Sequence, residues 1–262
     1  MSLRAIQQQL KDAGFYAGAV DGKWGKVSQA ALDHALELAV LAKDDVAFAE
    51  RPPLGDRDFA DAAVLLGSDV AKIRAVVAVE SGGGWFTDIR KDILDLDGPG
   101  GFIDGDVLPK ILFEAHLFSK ATGGRYDKTH PNISSPAWNR ALYIGGQAEY
   151  QRLHTAMLLD EEAALKSTSW GLGQILGSNF KAAGYRNVFA YVEAMKASER
   201  NQLLALVNFI KNTPGLLAKF HQIGADPASC AAFAAAYNGP SYATHNYDGR
   251  IAQAYQRARR VA

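Results

Sequence analysis

The sequence predicts a mainly α-helical protein in two parts: a small helical module, then a larger helical domain carrying one short lobe of β-strands and loops. Three observations predict it. Apolar residues recur at three- and four-residue steps along most of the 262 residues. A breaker-rich segment, Arg51-Pro52-Pro53-Leu54-Gly55, sets a short first unit apart from the rest. Residues 81 to 108 abandon helical periodicity for glycines and for Asp88, Asp92, Asp95, Asp97, Asp104 and Asp106, the composition of loops with a small β-hairpin.

In the first unit, Leu3, Ile6 and Leu10 mark one helix, Gly14 stops it, and Asp21-Gly22 forms a tight turn. A second helix runs from about Ser28 with Ala31, Leu32, Ala35, Leu36 and Ala39 on one stripe. The expected domains are residues 1 to 43, a linker over 44 to 57, and a second domain over 58 to 262. In that domain the periodicity predicts helices over 58–66, 69–80, 109–120, 136–142, 146–164, 177–183, 187–195, 198–211, 214–222, 227–236 and 247–260.

Composition bounds the function. Hydrophobic residues make up 48% and charged residues 21%, the profile of an ordinary globular chain. Lys+Arg and Asp+Glu both number 28, so the positive field of a nucleic-acid binder is missing and no such partner is expected. Divided near residue 66, the first part carries 7 basic and 10 acidic residues and the second 21 and 18, which suits two separate modules. The single cysteine, Cys230, lies in an alanine-rich run and reads as a buried thiol. The N-terminus lacks an uninterrupted apolar stretch and no run of 18 apolar residues occurs, so neither an export signal nor membrane insertion is expected.

One helix places a carboxylate where chemistry can use it. Ser68 or Asp69 caps the segment, and Val70, Ile73, Val76, Val77 and Glu80 fall on one face. Glu80 therefore ends an apolar stripe at a helix C-terminus, with Ser81-Gly82-Gly83-Gly84 immediately after it. Desolvation and the helix dipole both disfavour its charged form. A glutamic acid kept protonated near neutral pH is what glycosidic-bond cleavage requires, because the departing oxygen must receive a proton. The competing reading from spacing alone is a helix-end glutamate turned to water.

Other segments support the first reading. Ala78-Val79-Glu80-Ser81, Ser169-Trp170-Gly171-Leu172-Gly173-Gln174-Ile175 and Ala236-Tyr237-Asn238-Gly239 resemble, in the same order, three motifs of the lysozyme-like superfamily, which includes goose-type lysozymes and lytic transglycosylases. The resemblance implies that Glu80 is the catalytic acid and that Ser81, Gln174, Tyr237 and Asn238 meet the sugar. Adding Glu80-Ser81-Gly82-Gly83, Gly101-Phe102-Ile103-Asp104-Gly105 and Ile111-Leu112-Phe113-Glu114-Ala115-His116-Leu117-Phe118, residues 60 to 260 resemble the N-acetylmuramidase family of phage endolysins. The implied fold is a lysozyme-like α+β domain. The implied reaction is hydrolysis of the β-1,4 bond between N-acetylmuramic acid and N-acetylglucosamine, by a monomer that stays in the host cytoplasm until a separate membrane lesion admits it to the wall.

The remaining chemistry is less determined. An inverting hydrolase needs a second carboxylate to activate water, with Asp104, Asp88 and Glu114 as candidates, whereas a lytic transglycosylase lets the sugar's own 6-hydroxyl attack. On a helix, Glu114 and His116 would face different ways. His34, His130, His154, His221 and His245 form no metal-binding pattern, so no metal and no cofactor are expected. In the first unit, Ile6-Gln7-Gln8-Gln9-Leu10, Gly14-Phe15-Tyr16, Asp21-Gly22-Lys23-Trp24-Gly25 and Ala30-Ala31-Leu32 are similar to the three-helix peptidoglycan-binding module, without its closing Phe-Gln. That likeness makes Tyr16, Asp21, Gly22, Trp24 and Gly25 the expected wall-binding residues. The rival to an enzyme is a wall-binding phage structural protein with a degenerate lysozyme fold, which would not need Glu80.

Overall fold

The computed structural model describes residues 3–12, 16–23, 25–31, 54–82, 86–88, 107–146 and 148–260. The chain divides into two compact units, Met1–Arg51 and Pro52–Ala262.

In the first unit, α1 (Leu3–Asp12) and a helical segment over residues 26–31, α2, flank non-helical residues 16–23 and 25. Leu10, Tyr16 and Ala31 are buried. A glutamine organises the unit. The Nε2 group of Gln7, fully buried, donates to Lys23 O (2.9 Å), Asp21 Oδ1 (3.2 Å), Ser28 Oγ (3.2 Å) and Tyr16 Oη (3.3 Å). Its Oε1 accepts from Gly22 N at 2.7 Å. One side chain thus ties α1 to the turn and to α2, satisfying polar groups that burial would otherwise leave costly. Gly22 has φ of 75°, the left-handed conformation that glycine adopts without strain.

The second unit begins with α3 (Asp56–Leu66) and α4 (Val70–Ser81). Asp69 caps α4 by accepting from Lys72 N at 3.0 Å, and Gly82 ends it at φ 59°. Ala75 and Val76 are fully buried, so α4 runs through the core. Two small sheets follow. Strands β1 (Phe86–Asp88) and β2 (Val107–Pro109) pair antiparallel, while β3 (Ile111–Phe113), β4 (Thr168–Trp170) and β5 (Ile175–Leu176) form an antiparallel sheet in that order. The helices α5 (Ala115–Ala121), α6 (Ala148–Leu159) and α7 (Glu161–Lys166) lie between β3 and β4 in the chain. After β5 come α8 (Val188–Ala197), α9 (Glu199–Asn212), α10 (Leu216–His221), α11 (Pro227–Asn238) and α12 (Tyr247–Ala258). The most extensive helix contact is α12 against α4, and α11 packs on α12.

Mainly α with a small β lobe is therefore the architecture, with four local departures. The helix expected over 109–120 starts only at Ala115, because Ile111–Phe113 alternate in burial and pair with Thr168–Trp170, while Val107–Pro109 pair with Phe86–Asp88. The 146–164 helix is two helices, broken where Asp160 accepts from Ala163 N (3.1 Å) and starts α7. The 136–142 and 177–183 helices shrink to single 3-10 turns, Arg140–Leu142 and Gly177–Asn179. In the 81–108 stretch, β1 and β2 supply a strand pair, and the residues between them lie outside those described.

A buried ion pair that sequence reading did not find supports the β3–β4–β5 sheet. Glu149 and Arg152, one turn apart on α6, meet at 2.7 Å with almost no solvent exposure. Glu149 accepts from Phe113 N (3.1 Å), Ile144 N (2.9 Å) and Gly145 N (3.0 Å), and Arg152 donates to Phe113 O and to Asn132 O (each 3.2 Å). Both Glu149 oxygens and all three Arg152 side-chain nitrogens have partners, which is the condition under which a buried pair is tolerated.

Candidate active site

Glu80 closes the last turn of α4, with its side chain partly buried. Three neighbours define its environment. The Nδ2 of Asn238, at the C-terminus of α11, donates to Glu80 Oε1 at 2.9 Å. Arg250 on α12 donates from Nη2 to Val79 O at 3.1 Å, and its guanidinium lies over the Tyr247 ring at 5.2 Å. Burial pushes the Glu80 carboxyl up to about 7, against the smaller opposing pull of the Asn238 hydrogen bond and the Arg250 charge. The carboxyl group is poised to be protonated in a neutral medium.

The three motif segments, far apart in the chain, converge through specific bonds. Asn238 joins the third to the first, as above. Tyr237 donates from its hydroxyl to Gly173 O at 2.6 Å, joining the third to the second, and its ring packs on Phe209 and Phe233. Lys110 joins the second to the first: its carbonyl accepts from Gly171 N (2.8 Å) and Gln174 Nε2 (3.2 Å), while its Nζ donates to Ser81 O (2.8 Å). Glu80, Gln174, Tyr237 and Asn238 thus belong to one bonded constellation.

The β4–β5 turn that carries Gln174 is held under backbone constraint. Gln174 has φ of 44°, unusual for a residue with a side chain, and its amide nitrogen also bonds Gly171 O at 2.8 Å. Gly171 has φ of 67°, and a Cβ there would come 2.8 Å from Gln202 Oε1. That buried glutamine accepts from Leu172 N at 2.8 Å and donates to Met195 O at 2.9 Å. Glycine at 171 is what lets Gln202 brace the turn from behind.

Other expected site residues fall elsewhere. Ser81 is fully buried and its hydroxyl donates to Val77 O at 2.7 Å, so it belongs to the helix end and not to a sugar-contacting surface. Glu114 follows β3 and precedes α5 in extended conformation, four residues beyond Lys110 in the chain. It accepts from the Tyr143 hydroxyl, and His116 Nδ1 lies 3.4 Å away. Glu114 and His116 therefore come together, against the helical expectation, because Glu114 sits outside the helix. Burial raises the Glu114 carboxyl above its ordinary value, outweighing the Tyr143 hydrogen bond. Asp88 lies in β1 with its side chain outside the described residues, and Asp104 lies outside them entirely.

In the first unit, Tyr16 is 7% exposed and donates to Ala19 O at 3.0 Å, so it is a core residue and not an open platform. Asp21 is exposed; hydrogen bonds from Lys23 N and Gln7 hold its carboxyl below the usual value. Gly25 is exposed, and Trp24 lies outside the described residues. Among the described residues, no three His, Cys, Asp or Glu side chains gather as a metal site. No helix among them is long and apolar enough to cross a membrane.

Sequence reading missed Lys110, Arg250 and Gln202. Lys110 is a lone cation between Pro109 and Ile111 and carries no motif; Arg250 and Gln202 lie on ordinary helical repeats. Their roles follow from contacts between residues 29 to 171 positions apart in the chain.

Comparison with known proteins follows the same outline. The description of the N-acetylmuramidase family fits residues 69–259. Among solved structures, the chain is similar to the crystal structure of the Burkholderia AP3 phage endolysin, with 31% identity over 99% of this chain and 96% of that one, and a TM-score of 0.63. No curated relative matches it.

Proposed function

The chain belongs to the N-acetylmuramidase family, and from that premise we propose that Glu80 is the general acid with which it cuts the glycan of peptidoglycan. The family membership and the endolysin likeness make it a peptidoglycan-hydrolysing glycoside hydrolase of the endolysin type. The observation that carries the assignment of the acid is the position of Glu80: partly desolvated at a helix end, with a carboxyl brought up to about 7 and oriented by Asn238.

In this mechanism the bond cut is the β-1,4 link from N-acetylmuramic acid to N-acetylglucosamine. The Glu80 proton passes to the glycosidic oxygen as the C–O bond breaks and positive charge develops on the muramyl ring. Asn238 engages Oε1, which leaves Oε2 to carry the proton toward substrate. Tyr237 holds Gly173 and the Gln174 turn in place, so that polar groups face the oxocarbenium-like ring without moving during the reaction. Glu114 accepts from Tyr143 with His116 beside it and takes no part in this step.

Muropeptides released from outer-membrane-free walls test the reaction by mass. Water as the nucleophile leaves reducing muramic ends; anhydro ends, lighter by one water, would show intramolecular attack by the 6-hydroxyl and make the chain a transglycosylase. Absence of any release would return the chain to the binding-protein reading.

The protonation of Glu80 has a kinetic signature. Activity on soluble glycan falls as pH rises through about 7, because the ionised carboxyl has no proton to give. Asn238→Ala removes a bond that favours the ionised form. The alkaline limb of kcat/KM therefore moves to higher pH even as the maximal rate drops, by about 10- to 100-fold for a lost orienting contact. An unmoved limb would mean that Asn238 does not govern this proton.

We also assign anchoring to residues 1 to 43, with 44 to 57 as linker and 58 to 262 as the catalytic domain. The support is the module-like sequence and a unit with its own buried polar hub at Gln7. Deleting residues 1 to 43 is expected to weaken co-sedimentation with purified walls and to spare cleavage of short soluble glycans. Equal sedimentation of the truncated chain would remove the anchoring role. Peptidoglycan is the partner in this reading, met by a monomer once a membrane lesion gives access to the wall.

A further inference from the structure

The C-terminal end of α4 leaves backbone carbonyls without intrahelical partners, and two cations take them up: Lys110 at Ser81 O and Arg250 at Val79 O. The two are not equivalent. Lys110 is partly buried and its ammonium is committed between the strand and the helix end. Arg250 is exposed, and one of its five N–H groups is used on Val79 while its planar face rests over Tyr247. Among the described residues it has no ion-pair partner.

Glu80 does not neutralise it either. An acid must carry its proton at the moment it acts, so the end of α4 then presents a neutral carboxyl and two cations, of which Arg250 is the exposed one. Beyond its pull on the Glu80 carboxyl, this charge has no ionic partner on an uncharged polysaccharide. Its fork of donors matches a carboxylate, and the tether to Val79 and Tyr247 pre-organises that fork.

The glycan backbone of peptidoglycan is uncharged; its anionic groups are the carboxylates carried on the muramyl residue, either the free lactyl group or those of the attached stem peptide. We propose that Arg250 is a specificity-determining residue that binds a substrate carboxylate borne on the muramyl residue next to the bond being cut. This rests on the glycosidase reading above. It deepens that reading, because it makes the enzyme read the muramyl substituent and explains how a Glu80 centre would prefer peptidoglycan to a neutral chitin-like strand.

The test compares kcat/KM on soluble glycan strands of four kinds: with stem peptides, stripped of peptide so that the lactyl carboxylate is free, with every carboxylate amidated, and neutral chitooligosaccharide. The full chain is used, as wild type, Arg250→Gln, Arg250→Lys and Arg257→Gln. Arg257→Gln makes the same charge change two turns further along α12. The proposal expects wild type to favour carboxylate-bearing strands over amidated ones by about 10-fold or more, chiefly through KM. Arg250→Gln abolishes that preference, Arg250→Lys restores part of it, and Arg257→Gln keeps it. The strand, peptide-bearing or stripped, on which the preference depends identifies the carboxylate.

Cleavage with an unchanged preference in Arg250→Gln would overturn the proposal while leaving the glycosidase reading intact. So would an equal loss on charged and amidated strands, since Arg250 would then act through Glu80 or the helix end. No cleavage of any strand by wild type would overturn both.

Discussion

Glu80→Gln is expected to lower glycan cleavage by about 100- to 10,000-fold, the range contributed by a positioned general acid, and at the same time to stabilise the protein in alkaline solution. The second half of this expectation comes from the same burial as the first. The carboxyl titrates near 7 in the folded chain and near 4.5 in the unfolded one. Below 4.5 the group is protonated in both states and contributes nothing either way. Between 4.5 and 7 the unfolded state ionises while the folded state resists, so stability is lost as pH rises, and above 7 the loss is complete. That difference in proton affinity corresponds to as much as about 3 kcal/mol. Glutamine cannot ionise and escapes the loss. The melting temperatures of wild type and variant should therefore coincide near pH 4 and separate by several degrees above pH 7, with the variant higher. A variant that still lyses walls would remove Glu80 from the reaction, and a gap that is the same at both pH values would show that the carboxyl is not desolvated in the folded state.

The second large effect concerns the pair that supports the sheet. Glu149→Gln leaves the Arg152 charge buried without its counter-ion, and breaking a buried pair in this one-sided way costs about 3–5 kcal/mol. For a domain of this size the loss lowers the melting temperature by about 6–20 °C, measurable by calorimetry. Glu149 also holds Phe113 N, Ile144 N and Gly145 N, so the damage extends along β3 toward Lys110 and into the segment bearing Tyr143. Replacing both partners, as Glu149→Leu with Arg152→Met, leaves no uncompensated charge but takes the acceptor from Phe113 N, Ile144 N and Gly145 N, so it is expected to recover only part of the stability. A single variant as stable as wild type would mean that water or another group satisfies Arg152.

The enzyme class and much of the architecture were legible in the residues themselves. The α4 stripe ending at Glu80 is local: cap, apolar period and terminating glycine lie within 15 residues, and short-range periodicity is enough to place a carboxylate on a buried face. The likeness to muramidases rests on three short segments whose order survives in the linear chain. The breaks in predicted helices were also local in part, since Asp160 is an ordinary cap read too lightly within an apolar run.

Tertiary structure alone decided what surrounds the acid. Asn238, Lys110 and Arg250 reach α4 from 158, 29 and 171 residues away, and no periodicity encodes such pairings. It also decided that residues 107–109 and 111–113 are strands, because pairing with β1 and β4 outweighs a helical pattern in such short apolar segments. It turned Ser81 and Tyr16 inward, where their hydroxyls satisfy backbone carbonyls, although motif matching placed both on binding surfaces. It brought His116 to Glu114 by leaving the glutamate off the helix. The physical reason is common to all of these. Hydrophobic period is a property of neighbouring residues along the chain, whereas hydrogen bonds, ion pairs and the desolvation that sets a carboxyl's proton affinity depend on which distant groups the finished fold places beside it.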